Sequence, residues 1–276
     1  MTLWVFGDSF SSDYPKNSNS GNWCNLWGEQ HFDSVKNLSR AGTSNDDIAN
    51  KIIKTLPEMQ SGDSVIVCWS TIYRLCILGT HPLYPWEDFV VKSSDIKNSS
   101  PQVDKKTAKL LSSVAQNFFT NFFTETKGWH ELITQIIAVD TMLKDNNIKL
   151  VQFLGHNDIK SDSELLDYLD SYEWRCIPVE LESLFLKYCT KLKNSWCILH
   201  SWHKIQSDLM NSPGWEKWSH HKHISTDNDW DRYIKSMFDD FEKSGKNIFL
   251  DHWHLNSSGH KLFADYISDI LERELV

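Results

Sequence analysis

Two short stretches at opposite ends of the chain carry side chains that could together attack an ester. Near the start, Gly7-Asp8-Ser9 ends a short apolar run. Near the end, Asp251, His252 and His254 follow another. A serine hydroxyl becomes a nucleophile when a nearby histidine takes its proton, and an aspartate can hold that imidazole in place. These residue types predict nucleophilic hydrolysis by Ser9, with either histidine as the base, if the two chain ends meet.

Both stretches resemble sequence blocks of the SGNH hydrolases, also called the GDSL esterase/lipase family. The run GDSFS at 7–11 is similar to the family's first block, and Asp251-x-x-His254 with the following Leu-Asn and Gly-His is similar to its last block. The order of the blocks along the chain agrees as well. The resemblance implies that Ser9 is the nucleophile. It also selects His254 over His252 as the base, oriented by Asp251.

The same resemblance implies an α/β fold, a three-layer α/β/α flavodoxin-like sandwich with a mostly parallel five-stranded sheet and helical insertions. Apolar runs and their periodicity predict strands at 3–6, 34–38, 63–69, 149–154 and 196–200, and helices at 23–29, 104–123, 130–144, 178–191, 227–241 and 258–272. We expect one domain over 1–276, with an insertion at about 75–127 and a segment rich in Trp and His at about 200–245. The insertion is the candidate for substrate choice.

Backbone N–H groups near Ser9 are expected to stabilise the oxyanion of the tetrahedral intermediate. Gly42 lies in a loop just before a predicted helix, whose start is marked by Ser44 and Asp47 as a capping box. This placement is similar to the family's second block, in which a glycine N–H donates to the oxyanion. Glycine suits that role because an amide without a neighbouring Cβ can approach the charge closely. The N–H of Ser9 is the second expected donor.

The third block departs from the family pattern. The family has Gly-x-Asn-Asp after the third strand, and its side-chain amide completes the oxyanion hole, but this chain has Trp69-Ser70-Thr71. The hydroxyl of Ser70 is a weaker candidate donor, and Trp69 is a candidate substrate contact. Losing one such donor typically costs on the order of 10²–10³ in rate. The missing amide therefore matters without excluding catalysis, and ester hydrolysis is still predicted.

A literal Gly-x-Asn-Asp occurs one strand later, at 155–158. Because neighbouring strands lie about 4.8 Å apart, Asn157 is expected to fall short of the oxyanion. It is a candidate for binding another part of the substrate, while an Asx-type turn before a helix is the simpler interpretation. Trp253, between the last-block aspartate and histidine, is another candidate substrate contact.

Composition excludes several classes of partner. The net charge is −9 and no long basic run occurs, so we expect no nucleic acid partner. No run of about 18 apolar residues and no signal segment occur, so we expect no membrane partner and a cytoplasmic location. The third block with downstream Arg74 also resembles uncharacterised family relatives from phages and bacteria, which makes a virion location the alternative. No cofactor is expected, and the oligomeric state stays open.

Cysteine and tryptophan usage adds two expectations. The six cysteines show no C-x-x-C spacing, which favours reduced, buried thiols. The thirteen tryptophans favour packing, with stacking against sugar rings as the second interpretation. The expected substrate is a small-molecule or glycan ester, and an acetyl ester on a carbohydrate is the leading candidate.

Two other functions stay open. Because the third-block asparagine is missing, a non-catalytic glycan-binding module that keeps the fold is the main alternative. The cluster of His220, His221 and His223 suggests a metal hydrolase, since imidazole is a common zinc ligand. Adjacent histidines seldom face one point, however, so a polar loop is favoured and we predict no metal site.

Overall fold

A parallel sheet forms the centre of the molecule. The computed structural model describes residues 1–12, 21–77, 89–92, 105–155, 179–193, 197–209, 243, 246–249 and 254–276. The strands are β1 (Thr2–Gly7), β2 (Ser34–Asn37), β3 (Ser64–Trp69), β4 (Arg74–Ile77), β5 (Phe89–Lys92) and β6 (Lys149–Leu154). In the part of the chain described, β2, β1, β3 and β6 form the parallel sheet in that order, while β4 and β5 form an antiparallel pair. The strand that carries the serine turn is therefore an inner one.

Helices follow the strands. They are α1 (Trp23–His31), α2 (Asn45–Thr55), α3 (Lys105–Asn121), α4 (Glu125–Asp145), α5 (Val179–Tyr188), α6 (Ile198–Leu209) and α7 (Ser257–Leu275), with a 3₁₀ turn at Leu56–Glu58. None of the helices described has the length and apolar character needed to cross a membrane.

Both faces of the inner strands β1 and β3 are buried, and neighbouring residues of a strand point to opposite faces. On one face, Leu3 and Val5 pack with residues of α1, α6 and α7. On the other face, Trp4 and Phe6 pack with residues of α2, α4 and α5. Strands that are covered on both sides must be apolar throughout, which explains the continuous apolar runs of the sequence. The predicted three-layer α/β/α architecture is confirmed.

The predicted fifth strand at 196–200 is wrong. Cys197 makes one parallel bridge to Leu154 at the free edge of β6, and α6 begins at the next residue. The side chains of Ile198, Trp202 and Ile205 recur at helical spacing and are all buried in the core. Packing of this apolar face therefore selects a helix, and the five-stranded sheet is not confirmed.

The segment after β3 contacts the end of the predicted insertion through Tyr73. Tyr73 packs against Phe123 with ring centroids 5.5 Å apart, and its hydroxyl donates to Glu125 Oε1 at 2.8 Å. Phe118 and Phe119 pack in turn on Phe123. Phe118, Phe119 and Phe123 thus serve packing, whereas Phe122 is 61% exposed.

The described tryptophans are packing residues. Six of them are at most 2% exposed: Trp4, Trp23, Trp27, Trp69, Trp129 and Trp202. Several of their indole N–H groups also donate hydrogen bonds within the protein. That of Trp23, for example, donates to the carbonyl of Phe10 at 2.8 Å. The other seven tryptophans lie outside the described residues. Four cysteines, Cys24, Cys68, Cys189 and Cys197, are buried free thiols as predicted, and burial raises the pKa of Cys189.

Gly7 is required by close packing at the end of β1. A Cβ at this position would lie 2.8 Å from both the Cβ and the carbonyl oxygen of Cys68, its partner in β3, and would also collide with the hydroxyl of Ser11. The described glycines with positive φ are Gly21, Gly42 and Gly62, so the need for glycine here is steric and does not come from a sharp bend.

Replacing Gly7 by alanine is expected to destabilise the protein. Overpacking of this kind typically costs about 1–3 kcal/mol, and the backbone oxygen of Cys68 cannot move aside without disturbing the sheet. The free energy of unfolding from urea titration measures the effect. A loss well below about 1 kcal/mol would contradict the steric account.

Candidate active site

The serine turn lies at the carboxyl end of β1, the edge at which open α/β sheets bind ligands. Its shape is set by Asp8, whose Oδ1 accepts from the N–H of Phe10 at 3.0 Å and whose carbonyl accepts from the N–H of Ser12 at 3.0 Å. Ser9 is half-buried. Neither its hydroxyl nor its N–H makes a hydrogen bond with another residue that the structure describes. The hydroxyl predicted to attack the substrate is therefore not engaged by the described residues.

Asp8, the acid of this turn, is fully buried, with 0% of its surface exposed. Its Oδ2 accepts from the hydroxyl of Ser70 at 3.0 Å and from Arg74 Nη1 at 3.3 Å. A buried carboxylate needs such partners because its desolvation is costly. Sequence reasoning did not assign Asp8 or Arg74 to the site. The available signals were an acid directly after a buried strand and an arginine close to the end of the next strand.

The loop that carries Gly42 runs beside the serine turn. The N–H of Arg40 donates to the carbonyl of Gly7 at 2.9 Å, which fixes the loop at the end of β1. Gly42 adopts φ +80°, a region that favours glycine. Its N–H donates no hydrogen bond to the residues described. Gly42 and Ser9 thus each present an unpaired backbone donor in neighbouring loops.

A buried acid ties this loop to α2. Asp47 accepts a short hydrogen bond from the hydroxyl of Thr43, and its Oδ2 lies 3.3 Å from Arg40 Nη2 and 3.0 Å from Lys51 Nζ. The predicted helix start is confirmed, since the side chain of Ser44 accepts from the N–H of Asp47 at 3.2 Å. The Asp47 carboxylate does not complete the capping box; it binds Thr43 and Arg40 of the loop that carries Gly42.

The end of β3 is anchored by an asparagine that sequence reasoning missed. Asn45 accepts from the N–H of Ser70 at 2.7 Å and donates to its carbonyl at 3.1 Å. Both donors of Ser70 are therefore engaged within the protein, its N–H with Asn45 and its hydroxyl with Asp8. Stabilising an oxyanion would require the Ser70 hydroxyl to leave the Asp8 carboxylate.

Trp69, a predicted substrate contact, is enclosed in the core. It is 0% exposed, and its indole N–H donates to Gln152 Oε1 at 2.9 Å. In this arrangement the ring offers no surface to a substrate, because both faces of β3 are covered. Asn157, Trp253 and Asp251 lie outside the described residues.

The histidine predicted as the base lies near the serine turn. The imidazole of His254 is half-buried, and its centroid is 6.3 Å from that of Phe10, the residue after Ser9. Phe10 also packs edge-on against Trp202 at 5.0 Å. Two residues after His254, Asn256 caps α7 by accepting from the N–H of Gly259 at 2.9 Å. The start of α7 therefore places His254 beside the serine turn.

A second histidine, His260 in the first turns of α7, lies close to His254. Burial lowers the pKa of His260 to about 4, with a smaller contribution from nearby His254. His260 packs against Trp202 with ring centroids 6.4 Å apart. It is neutral at physiological pH. The cluster His220, His221 and His223 lies outside the described residues, and the residues that are described include no group of three side chains placed to hold a metal ion.

Asp47 gives the loop a predictable pH dependence. Burial alone would raise the pKa of this carboxyl, but the hydrogen bond from Thr43 and the charges of Lys51 and Arg40 lower it below its usual value. The ionised form therefore stabilises the fold above pH of about 4, and this contribution is lost as the pH falls through the lower, folded-state pKa.

Asp47→Asn should consequently lower the melting temperature at pH 7 and reduce the loss of stability between pH 7 and pH 3. Melting curves over this pH range measure both effects. Asp145→Asn, at an exposed helix end, is the control and should leave the curves close to wild type. An Asp47→Asn protein with the wild-type acid dependence would contradict the assignment.

Comparisons with known proteins give structural similarity alone. No protein-family model and no curated protein sequence matches the chain. The YxiM protein of Bacillus subtilis is structurally similar with 12% identity and a TM-score of 0.45, over 99% of this chain and 56% of that one. A member of the lipolytic G-D-S-L family from Veillonella parvula has 11% identity and a TM-score of 0.39, over 99% of both chains. This chain thus spans about half the length of the Bacillus protein and the full length of the Veillonella protein.

Proposed function

We propose that the protein is a serine esterase in which Ser9 is the nucleophile, His254 the base and Asp251 the acid that orients it. One observation carries the proposal. The half-buried Ser9 lies at the carboxyl end of an inner strand, its hydroxyl is not used by the described residues, and the imidazole of His254 packs beside the adjacent residue. The chemistry expected of the sequence motifs is thus supported by the placement of two of the three groups.

The reaction proceeds in two acyl-transfer steps. The Ser9 oxygen attacks the ester carbonyl while His254 takes the hydroxyl proton, and the resulting tetrahedral intermediate expels the alcohol, which receives that proton. Water then attacks the acyl-enzyme, with His254 again as the base, and the carboxylic acid leaves Ser9. The hydrogen bond from Ser9 to His254 that this step requires is of a kind that often forms fully only when substrate binds.

The oxyanion hole is proposed to consist of the N–H groups of Ser9 and Gly42. Both lie in loops fixed at the end of β1, and neither donates to a described residue. Preorganised donors of this kind stabilise developing charge without reorganising during the reaction. With Ser70 engaged elsewhere, two donors do the work that the family pattern assigns to three.

The substrate is proposed to be a short acyl ester, with an acetyl group on a carbohydrate as the first class to test. p-Nitrophenyl acetate and a panel of acetylated glycans are the probes, each assayed with and without EDTA. The proposal predicts turnover that EDTA leaves unchanged. Loss of turnover with EDTA would favour a metal hydrolase, and binding of glycans without any turnover would favour a non-catalytic module.

A further inference from the structure

We propose that Arg74 is a positioning residue that holds the two oxyanion donors in register with the nucleophile. The inference rests on the proposed esterase function and goes beyond it by naming the side chain that compensates for the missing third-block amide. It is drawn from the contacts of a single guanidinium nitrogen.

Arg74 Nη1 contacts three separate segments of the site. Its two N–H groups donate to the carbonyl of Thr43 at 2.8 Å and to the hydroxyl of Ser70, and the nitrogen also lies 3.3 Å from Asp8 Oδ2 in an ion pair. Asp8 directly precedes Ser9, and Thr43 directly follows Gly42. One nitrogen therefore links the nucleophile turn, the loop with the second donor and the end of β3.

These contacts are shielded from solvent. The Arg74 side chain is 12% exposed and that of Asp8 is 0% exposed. Hydrogen bonds between charged groups are stronger than neutral ones, and burial reduces their screening by salt. Because all three acceptors meet at one atom, a shift of any segment breaks a contact with that atom. The arrangement thus resists relative motion of the loops that carry Ser9 and Gly42.

Precise placement matters more here than in a site with three donors. With the two donors of Ser70 engaged within the protein, the oxyanion depends on two backbone N–H groups. A misplacement of about 1 Å in a reacting constellation can cost about 10² in rate. Arg74 acts on the reaction through these groups, and its loss should lower kcat while leaving substrate affinity largely unchanged.

A direct contact with substrate is the competing role. Nε and Nη2 of Arg74 make no hydrogen bond to the residues described. Lysine separates the two roles: its ammonium carries three N–H donors that can serve the three acceptors of Nη1, but it has no second nitrogen to reach substrate. Rescue by lysine therefore supports positioning, and failure of lysine opposes it.

The test compares Arg74→Lys and Arg74→Met with wild type on p-nitrophenyl acetate. Arg273→Met is the control, since Arg273 is an exposed arginine at the far end of α7. We expect kcat to fall about 10²-fold in Arg74→Met with KM within about threefold, and Arg74→Lys to retain at least a tenth of wild-type kcat. Equal losses in the lysine and methionine variants, or a change confined to KM, would overturn the proposal.

Arg74→Met leaves the buried Asp8 without its charged partner and so endangers folding. The double variant Asp8→Asn with Arg74→Met removes both charges and keeps the test decisive, since it should also show reduced kcat. Hydrogen exchange gives a readout that needs no activity: in either variant the amides of 8–12 and 40–45 should exchange faster than in wild type. Unchanged exchange would overturn the positioning role even if no ester is hydrolysed, whereas activity that survives Ser9→Ala would overturn the proposed function itself.

Discussion

Ser9→Ala is expected to reduce ester turnover by at least about 10³-fold, because removing the nucleophile of a serine triad removes the covalent pathway and leaves only the oxyanion donors. The fold should be unaffected, since the Ser9 hydroxyl makes no hydrogen bond with the described residues. The measurement is kcat/KM on p-nitrophenyl acetate, together with the melting temperature.

Ser61→Ala is the matched control. Ser61 is exposed in the turn before β3, at the opposite edge of the sheet, and its hydroxyl accepts only from Asn147 at 2.7 Å among the described residues. We expect wild-type turnover from this variant. If Ser9→Ala kept more than a tenth of wild-type kcat/KM, the nucleophile would have to be another group.

His254→Ala is expected to reduce turnover by a similar factor. The serine and the histidine act as one unit, so losing either should cost about as much as losing both. The double variant Ser9→Ala with His254→Ala should therefore be no less active than Ser9→Ala alone. His130→Ala, at an exposed position of α4, is the control.

Non-additivity is the informative result of this series. Losses that multiply in the double variant would show that the two residues act independently, which would contradict a shared proton transfer. Partial recovery of the His254→Ala protein with added imidazole would support the role of the missing side chain as a base.

The layered fold followed from the family resemblance, and strands β3 and β6 were predictable because they are largely buried on both faces. Such strands must be continuous apolar runs, and 63–69 and 149–154 were therefore recognised within one residue of β3 and β6. The prediction of a strand at 196–200 failed for a related reason. A short apolar run carries no periodicity that separates a strand from a buried helix, and packing on Trp202 decided in favour of α6.

The supporting network of the site was less accessible to sequence reasoning. Motifs identify groups that do chemistry, such as Ser9 and His254, because their types and spacing are distinctive. Asp8 and Arg74 meet across 66 positions of the chain, and Asn45 reaches Ser70 across 25. Contacts at such separations depend on strand order, so they became visible only once β1 and β3 were placed side by side.

The burial of Trp69 illustrates the same limit. Its position directly before Ser70, at the end of a strand, suggested a substrate contact. Alternation along β3 instead directs the ring into the core on the α4 side, where Gln152 accepts its N–H. A side chain at the end of a strand can face either the site or a covering helix, and only the register decides.

Covalent labelling tests most directly whether the two ends of the chain form one catalytic unit. A fluorophosphonate loses fluoride when an activated serine oxygen attacks its phosphorus, so mass spectrometry of the digested protein identifies the serine that His254 activates. We predict a single adduct on the peptide that contains Ser9, formed at least about 10²-fold more slowly in His254→Ala. An adduct on another serine, or labelling of Ser9 at the same rate in both proteins, would contradict the account.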